Sequence, residues 1–226
     1  MAEHRLLTGA SLHEPKGVAT AAANTVYVAD GAASGVQTNV KALDLFPKTV
    51  TVWDDYVVPI VGANAAGIAP PTLVKVNDDG AGSTGVYYYS FAHNSEKEVF
   101  FTVQLPHRYK PGTAIRPHIH WGPTTTGTGG VVWGLEYCIS NRAVAAGNTV
   151  IIKATGQAPG ALMTQVITSL PEIAGTSMVE STLLNCRFFR ASGDGADTYG
   201  AGAVAMSFDV HFEVEKLGTV EEYPGA

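Results

Sequence analysis

The sequence predicts an all-β fold, an antiparallel jelly-roll β-sandwich of about eight to ten strands preceded by an extended N-terminal arm. The chain has 226 residues, 46% of them hydrophobic, which is enough to bury a core as a single sandwich. After Phe46-Pro47, β-branched and aromatic runs are separated by glycine, proline and Asn-Asp turns, as is typical of many short strands. No long segment has helical periodicity, and the best helix candidate, 171–179, contains Gly175.

Residues 1–45 are predicted to form the arm, and residues 46–226 a single β-sandwich domain. From about Leu6 to Gly35 the chain has few large apolar residues and is rich in Ala, Gly, Thr and Asn. Such a segment cannot build a core of its own. We therefore expect the arm to become ordered by lying on another protein or subunit.

Strands are predicted at residues 49–61, 72–77, 85–92, 98–105, 114–122, 130–141, 148–155, 162–169, 179–190 and 203–216. Three of them alternate regularly, with these apolar sets each on one face: Val99, Phe101, Val103 and Leu105; Val131, Trp133, Leu135, Tyr137 and Ile139; Val204, Met206, Phe208, Val210, Phe212 and Val214. Two aromatic runs, Tyr87-Tyr88-Tyr89 and Phe188-Phe189, place rings on both faces of their strands. A third layer or a neighbouring subunit is expected to cover them.

Composition argues against several partners. Only 15% of residues are charged and the net charge is −6, so the basic footprint of a nucleic-acid-binding protein is missing. The first residues lead into no apolar signal core, and no run approaches the ~18–20 apolar residues that span a bilayer, so we expect no membrane partner and synthesis in the cytosol.

The chain has two cysteines. Cys138 and Cys186 fall inside apolar strands and are predicted to be buried free thiols.

The sharpest local feature runs from Gly112 to His120, in which His118 and His120 point to the same face of one strand. This pair is suited to a metal ion. The spacing resembles the first cupin motif, and cupins are jelly rolls that bind a transition metal through histidines and a carboxylate. The glutamate of that motif is replaced here by Thr124 and Thr125, and the second cupin motif is not found.

A substitute metal site would need Glu136, or His211 on the last strand, which requires that these strands share a sheet. The alternative is a polar outer sheet face, hydrogen-bonded within itself or buried between subunits, comprising Arg116, His118, His120, Glu136, Asp209, His211 and Glu213. We favour this structural interpretation and assign no catalytic, cofactor-binding or metal-binding residue. Asp54-Asp55 and Asn77-Asp78-Asp79 are interpreted as turns and not as calcium sites.

Several segments resemble structural proteins of tailed-bacteriophage virions. They are Leu12 to Val18, Asn24 to Gly31, Leu105-Pro106-His107 with Lys110 to Thr113, Pro117 to Trp121, and Gly134 to Tyr137. The resemblance implies a component of the phage head or tail and no known reaction.

The favoured function is therefore a non-enzymatic virion protein, a capsid cement or decoration protein or the base of a head fibre, assembled in the host cytoplasm. Its expected partners are capsid or other virion proteins and, by analogy with other capsid-decorating jelly rolls, two further copies in a homotrimer. One alternative is a tail-fibre or baseplate protein whose jelly roll binds a host glycan. A second is a cupin-like metal-dependent enzyme using His118, His120 and either Glu136 or His211.

Overall fold

The computed structural model describes residues 51–221, except 66 and 68, together with two earlier strands, β1 (Thr25–Ala29) and β2 (Gln37–Lys41). The two strands pair antiparallel, with Thr25 opposite Lys41. The chain divides into two units, 1–52 and 53–226. The β1–β2 pair lies within the segment predicted as an arm, and the rest of that arm is outside the described residues.

The second part of the chain contains the strands β3 (Val52–Pro59), β4 (Thr72–Asn77), β5 (Val86–Phe91), β6 (Lys97–Gln104), β7 (Arg116–Pro123), β8 (Thr128–Ser140), β9 (Val150–Pro159), β10 (Val166–Ser169), β11 (Leu183–Arg190) and β12 (Ala203–Val214). Each overlaps one of the predicted strands, so the all-β prediction is confirmed. In the described residues the helical structure is limited to one 3₁₀ turn at Ile60–Gly62. None of their helices is long and apolar enough to cross a bilayer.

The strands form two antiparallel sheets. One has the order β10-β7-β12-β5-β4, with β3 also paired to β12, and the other has the order β6-β11-β8-β9. From β5 to β12 the chain crosses between the sheets in the double Greek-key order of a jelly roll. The predicted jelly-roll β-sandwich is therefore confirmed. Two neighbours, β7 and β12, lie inside the larger sheet and are far apart in sequence.

Aromatic side chains fill the space between the sheets. Trp133 stacks on Phe188 with ring centroids 5.2 Å apart, and Phe91 meets Trp133 edge-on at 5.4 Å. Trp121, from the opposite sheet, packs against Trp133 at 5.9 Å. All four rings are fully buried, and each buries enough apolar surface to contribute about 1.5–3 kcal/mol to folding. This core fixes the sheet that presents His118 and His120 on its opposite face.

A β-bulge in β12 changes which side chains face the core. The register with β7 shifts between Ala205 and Ser207, so Met206 is the extra residue. Before the bulge Ala205 faces the core, and after it the core-facing residues are Phe208 and its alternate neighbours. The predicted single apolar face from Val204 to Val214 is therefore wrong in its first part. The prediction assumed an unbroken period of two, which the bulge resets.

The edges of the two sheets come together at Gly156 of β9. A Cβ on this residue would lie 2.1 Å from Thr168 Oγ1 and 3.0 Å from two atoms of the Trp121 ring. The Trp121 indole donates a 2.8 Å hydrogen bond to that same hydroxyl. Only glycine leaves room for β9 to approach this pair.

A buried ion pair anchors the segment between β11 and β12. The side chains of Arg190 and Asp197 are 0% and 1% exposed, and Nη2 of Arg190 donates to Oδ1 of Asp197 at 2.7 Å. The guanidinium also donates to the carbonyls of Phe91, Tyr199 and Ala201. These bonds satisfy the charge inside the core and hold the loop that leads into β12.

The two cysteines are free thiols, as predicted, but they differ in burial. Cys186 is buried and faces the core, whereas Cys138 is half-buried. Burial raises the pKa of the Cys186 thiol to about 12, and the nearby Cys138 acts in the same direction. Cys186 therefore stays protonated at neutral pH.

Candidate functional site

Two adjacent strands build a cluster of polar side chains on the outer face of the larger sheet. Strand β7 contributes His118 and His120, which alternate with the fully buried Ile119 and Trp121. In the ladder between β7 and β12, Asp209 lies opposite His118. Side chains directly opposite one another share a face and have Cβ atoms about 4.5–5.5 Å apart. The fold therefore brings two imidazoles and one carboxylate together.

The three side chains converge on a small triangle of atoms, which we call the His–Asp cluster (His118, His120 and Asp209). Nε2 of His118 and Nε2 of His120 are 3.1 Å apart. Oδ2 of Asp209 lies 2.8 Å from Nε2 of His120 and 3.3 Å from Nε2 of His118. These are the donor atoms with which proteins bind transition-metal ions. The residues present thus fit a metal centre.

Neighbouring side chains hold two of the three groups in place. Ser207 donates a 2.6 Å hydrogen bond to Oδ1 of Asp209, which leaves Oδ2 directed at the histidines. The amide nitrogen Nε2 of Gln165 lies 2.8 Å from Nδ1 of His120. Such outer contacts fix the tautomer and the orientation of metal-binding side chains in other proteins.

A third histidine lies beside the cluster. The ring of His211 packs edge-on against His118, with centroids 4.6 Å apart, and its Nε2 lies 2.9 Å from Oδ1 of Asp55. Burial lowers the pKa of His118, and its electrostatic interaction with His211 acts in the same direction, while the Asp209 carboxylate opposes them. His118 is therefore neutral at pH 7 and has a lone pair on one ring nitrogen.

The three side chains of the cluster line a pocket of about 610 Å³. Arg116 also lines it; its Nε donates to Oε2 of Glu172 at 2.9 Å and its guanidinium lies 4.5 Å from the centre of the Trp53 ring. Ser169 of β10 and Leu170 are further lining residues. The His–Asp cluster is thus reachable from solvent on one side and closed by the sheet on the other.

The structure separates one predicted site residue from the others. Glu136 lies on β8 in the smaller sheet, because β8 pairs with β11 and β9 and not with β7. The idea that Glu136 joins the histidines, or shares their outer face, is therefore wrong. The other members of the predicted polar face do lie on β7 and β12: Arg116, His118, His120, Asp209, His211 and Glu213.

Two acidic residues had been interpreted as a turn, and the structure places them differently. Asp54 and Asp55 lie within strand β3, where Asp54 pairs with Arg108 at 2.6 Å and Asp55 with His211. The strand predicted at 49–61 already contains both residues, so their interpretation as a turn is wrong. The other predicted turn, 77–79, does contain turn hydrogen bonds from backbone amides to the Asp78 and Asp79 carboxylates.

A second polar surface lies on the outer face of the smaller sheet. Arg187 donates to Glu136, Glu96 and Glu98 at 2.8–2.9 Å and stacks over the Phe189 ring. Burial alone would lower the pKa of Arg187, but hydrogen bonds to the three carboxylates raise it above its ordinary value. Beside this ion cluster is a groove of about 540 Å³, the carboxylate groove, lined by Phe100, Thr102, Glu136, Asn185 and Arg187.

No protein-family model matches this chain, and no curated protein sequence matches it. Among solved structures, the chain is similar to an Arthrobacter globiformis isomalto-dextranase complexed with panose, at 12% identity and a TM-score of 0.44, covering 69% of this chain and 23% of that one. It is also similar to family 35 carbohydrate-binding modules. The module from Cellvibrio japonicus is 10% identical with a TM-score of 0.39, and the match covers 70% of this chain and 92% of the module. The module from Clostridium thermocellum is 14% identical with a TM-score of 0.37, and the match covers 71% of this chain and 95% of the module. This chain thus spans about a quarter of the isomalto-dextranase, and the jelly-roll assignment rests on strand order and register.

Proposed function

We propose that this chain is a non-enzymatic structural protein of a tailed-bacteriophage virion, a capsid cement or decoration protein or the base of a head fibre. The proposal rests on the sequence resemblance from Leu12 to Tyr137 and on one feature of the fold. That feature is a set of large apolar side chains left exposed on strands β3, β4 and β5 of the larger sheet. They are Trp53 (37% exposed), Val57 (54%), Leu73 (49%), Val86 (54%) and Tyr87 (39%).

The β4–β5 pair carries most of this apolar surface. Leu73 and Tyr87 lie on one face of the pair, and Val86 and Tyr88 lie on the other. No third layer of the described residues covers Tyr87 or Val86. Exposed apolar surface shared by neighbouring strands is what packing between subunits would bury. We propose that a second copy of this chain covers it, in a closed homotrimer.

Light scattering of the purified full chain tests the assembly. The wild type is expected to have the mass of three chains. Tyr87→Glu and Val86→Glu each place a charge on a different face of the β4–β5 pair. The variant whose charge lies in the contact is expected to shift the mass toward one chain, and two variants that both stay trimeric would contradict the proposed contact. The matched control is Val144→Glu, because Val144 is 65% exposed and lies in a loop between β8 and β9. A monomeric wild type, or a control that dissociates equally, would contradict the proposed assembly.

Particle binding tests the role in the virion. Deleting residues 2–40 is expected to abolish co-sedimentation with the phage particle and to leave a folded sandwich, since the described core lies after residue 51. Circular dichroism and a cooperative denaturant transition check the folding of the truncated chain. Retained binding to the particle would refute the anchoring role of this segment.

The carboxylate groove favours a second candidate, a tail-fibre or baseplate protein that binds a host glycan. Its wall combines carboxylate, guanidinium, amide and hydroxyl groups with an aromatic ring, the mixture that hydrogen-bonds sugar hydroxyls and packs on their apolar faces. Asn185 lies on the outer face, between Thr102 and Ser140.

A glycan array with the full chain tests this candidate. Binding that is lost in Asn185→Ala and kept in Asn94→Ala would support it, since Asn94 is an exposed loop residue that does not line the groove. Absence of binding to any glycan of the host surface would exclude it.

A further inference from the structure

We propose that the His–Asp cluster binds one divalent transition-metal ion through Nε2 of His118, Nε2 of His120 and Oδ2 of Asp209. This site goes beyond the proposed structural function, and it replaces our interpretation of the two histidines as a merely hydrogen-bonded polar face. The three donor atoms come from two strands that the jelly roll makes adjacent, so the site exists only in the folded chain.

The spacing of the donor atoms matches a coordination sphere. Their separations are 2.8, 3.1 and 3.3 Å. Ligands at about 2.0–2.1 Å from one ion, at angles between those of an octahedron and a tetrahedron, lie about 2.9–3.4 Å from one another. A single ion in front of the triangle therefore reaches all three atoms without rearrangement of the strands.

Hydrogen bonding alone leaves the triangle with a conflict. Each Nε2 carries either one hydrogen or one lone pair, and the carboxylate oxygen only accepts. If both histidines donate to Asp209, their two N–H groups face each other at 3.1 Å. If one histidine donates to the other, the second nitrogen turns a lone pair toward the carboxylate. A cation resolves the conflict because every one of the three atoms then directs a lone pair at it.

Two neighbouring side chains, Ser207 and Gln165, contact the groups that would bind the ion. Ser207 occupies Oδ1 of Asp209 and so orients Oδ2, and the Gln165 amide reaches the other ring nitrogen of His120. In the structure the amide nitrogen Nε2 of Gln165 faces this nitrogen, so Nδ1 accepts; with the amide rotated, its oxygen faces Nδ1, which then carries the hydrogen and leaves Nε2 of His120 free for the ion. The two amide orientations differ only by a rotation of the terminal group.

The donor set identifies the class of ion. Two imidazoles and one carboxylate suit Zn²⁺, Co²⁺, Fe²⁺, Mn²⁺ or Ni²⁺. Calcium and magnesium prefer all-oxygen sites. Three protein donors on the sheet side leave coordination positions open toward the pocket, where water or an oxygen of a partner would complete the sphere. The proposal concerns binding of the ion and includes no reaction step.

The experiment uses the full chain, freed of metal with a chelator and then titrated with Zn²⁺ and with Co²⁺. We expect one ion per chain by calorimetry, a Co²⁺ visible spectrum, and a rise in melting temperature with Zn²⁺. Asp209→Asn and His120→Gln are expected to abolish these responses. Ser207→Ala should weaken binding by about 10–100-fold, as expected for loss of an outer contact. His93→Ala is the matched control, since His93 is exposed in the loop between β5 and β6.

A folded wild type that takes up no Zn²⁺ would overturn the proposal, and so would variants of Asp209 and His120 that bind as tightly as the wild type. Because a variant can lose metal binding simply by failing to fold, a second measurement uses the wild type alone. Adding Zn²⁺ to ¹⁵N-labelled protein should shift Nε2 of His118 and His120 and leave the exposed His93 in place. Shifts in all histidines, or in none, would refute a specific site. The test is independent of the oligomeric state, so its failure leaves the proposed virion function standing.

Discussion

Substituting Asp197 with Asn is the sharpest test of how this sandwich is held together. The change keeps the shape of the side chain but removes the charge that balances Arg190, whose guanidinium is 0% exposed. Arg190 keeps its hydrogen bonds to three backbone carbonyls, so we expect the lower end of the cost of breaking a buried ion pair, about 3 kcal/mol. That cost raises the unfolded fraction by on the order of a hundredfold.

Urea unfolding followed by tryptophan fluorescence measures this cost. With a slope of about 2 kcal/mol per molar urea, the midpoint should fall by ~1.5 M with little change in slope. The matched control is Asp54→Asn, because Asp54 and its partner Arg108 are 42% and 43% exposed. Exposed pairs contribute about 0–1 kcal/mol. If Asp197→Asn lowers the midpoint no further than Asp54→Asn, the buried pair does not anchor the loop as argued.

Three further predictions use other parts of the fold. The native chain should react with a thiol reagent at Cys138 only, because burial raises the pKa of the Cys186 thiol to about 12. A Cys138→Ala variant should therefore not react until it is unfolded. Rapid labelling of Cys186 in the native chain would contradict this. Gly156→Ala should destabilise the chain by about 1–3 kcal/mol through overlap with Thr168, and an unchanged melting temperature would refute the close approach. Hydrogen bonds from Thr149 and Arg187 lower the pKa of Glu136, so its contribution to stability is present at neutral pH and is lost as pH falls through that lowered value. The wild type should therefore exceed Glu136→Gln in stability at pH 7, and the two should converge once the pH has fallen below the lowered pKa of Glu136. A gap that widens on acidification would be the wrong sign.

The strands were predictable from local sequence because β-branched and aromatic runs between turn residues mark them, and because several alternate over much of their length. The ten strands from β3 to β12 fall within or beside the predicted segments, and the outward direction of His118 and His120 follows from the burial of Ile119 and Trp121. Alternation is a local property, so no knowledge of the partner strand is required. The same reasoning predicts from the sequence that His118 and His120 share one face of β7.

The third donor was not predictable in the same way. Asp209 and Glu136 both follow the alternation of their strands, but only Asp209 lies on a neighbour of β7. Strand order is set by contacts between segments that are distant in sequence, and a single chain gives no direct signal of it. The β1–β2 pair was missed for another reason, since its segment has few large apolar residues to mark strands.

The extra residue at Met206 has a consequence for how this face of the protein can change over time. Met206 is the extra residue of the ladder, so its loss would leave both faces of the strand unchanged. Deleting that one codon would bring Ala205, opposite Trp121, and Ser207, opposite His120, into consecutive positions of a regular ladder. Asp209 would keep its outward direction and Phe208 its place in the core. Deleting Ile119 from β7 would instead make His118 and His120 consecutive and turn one of them inward. Descendants of this sequence can therefore lose the bulge and keep the His–Asp cluster.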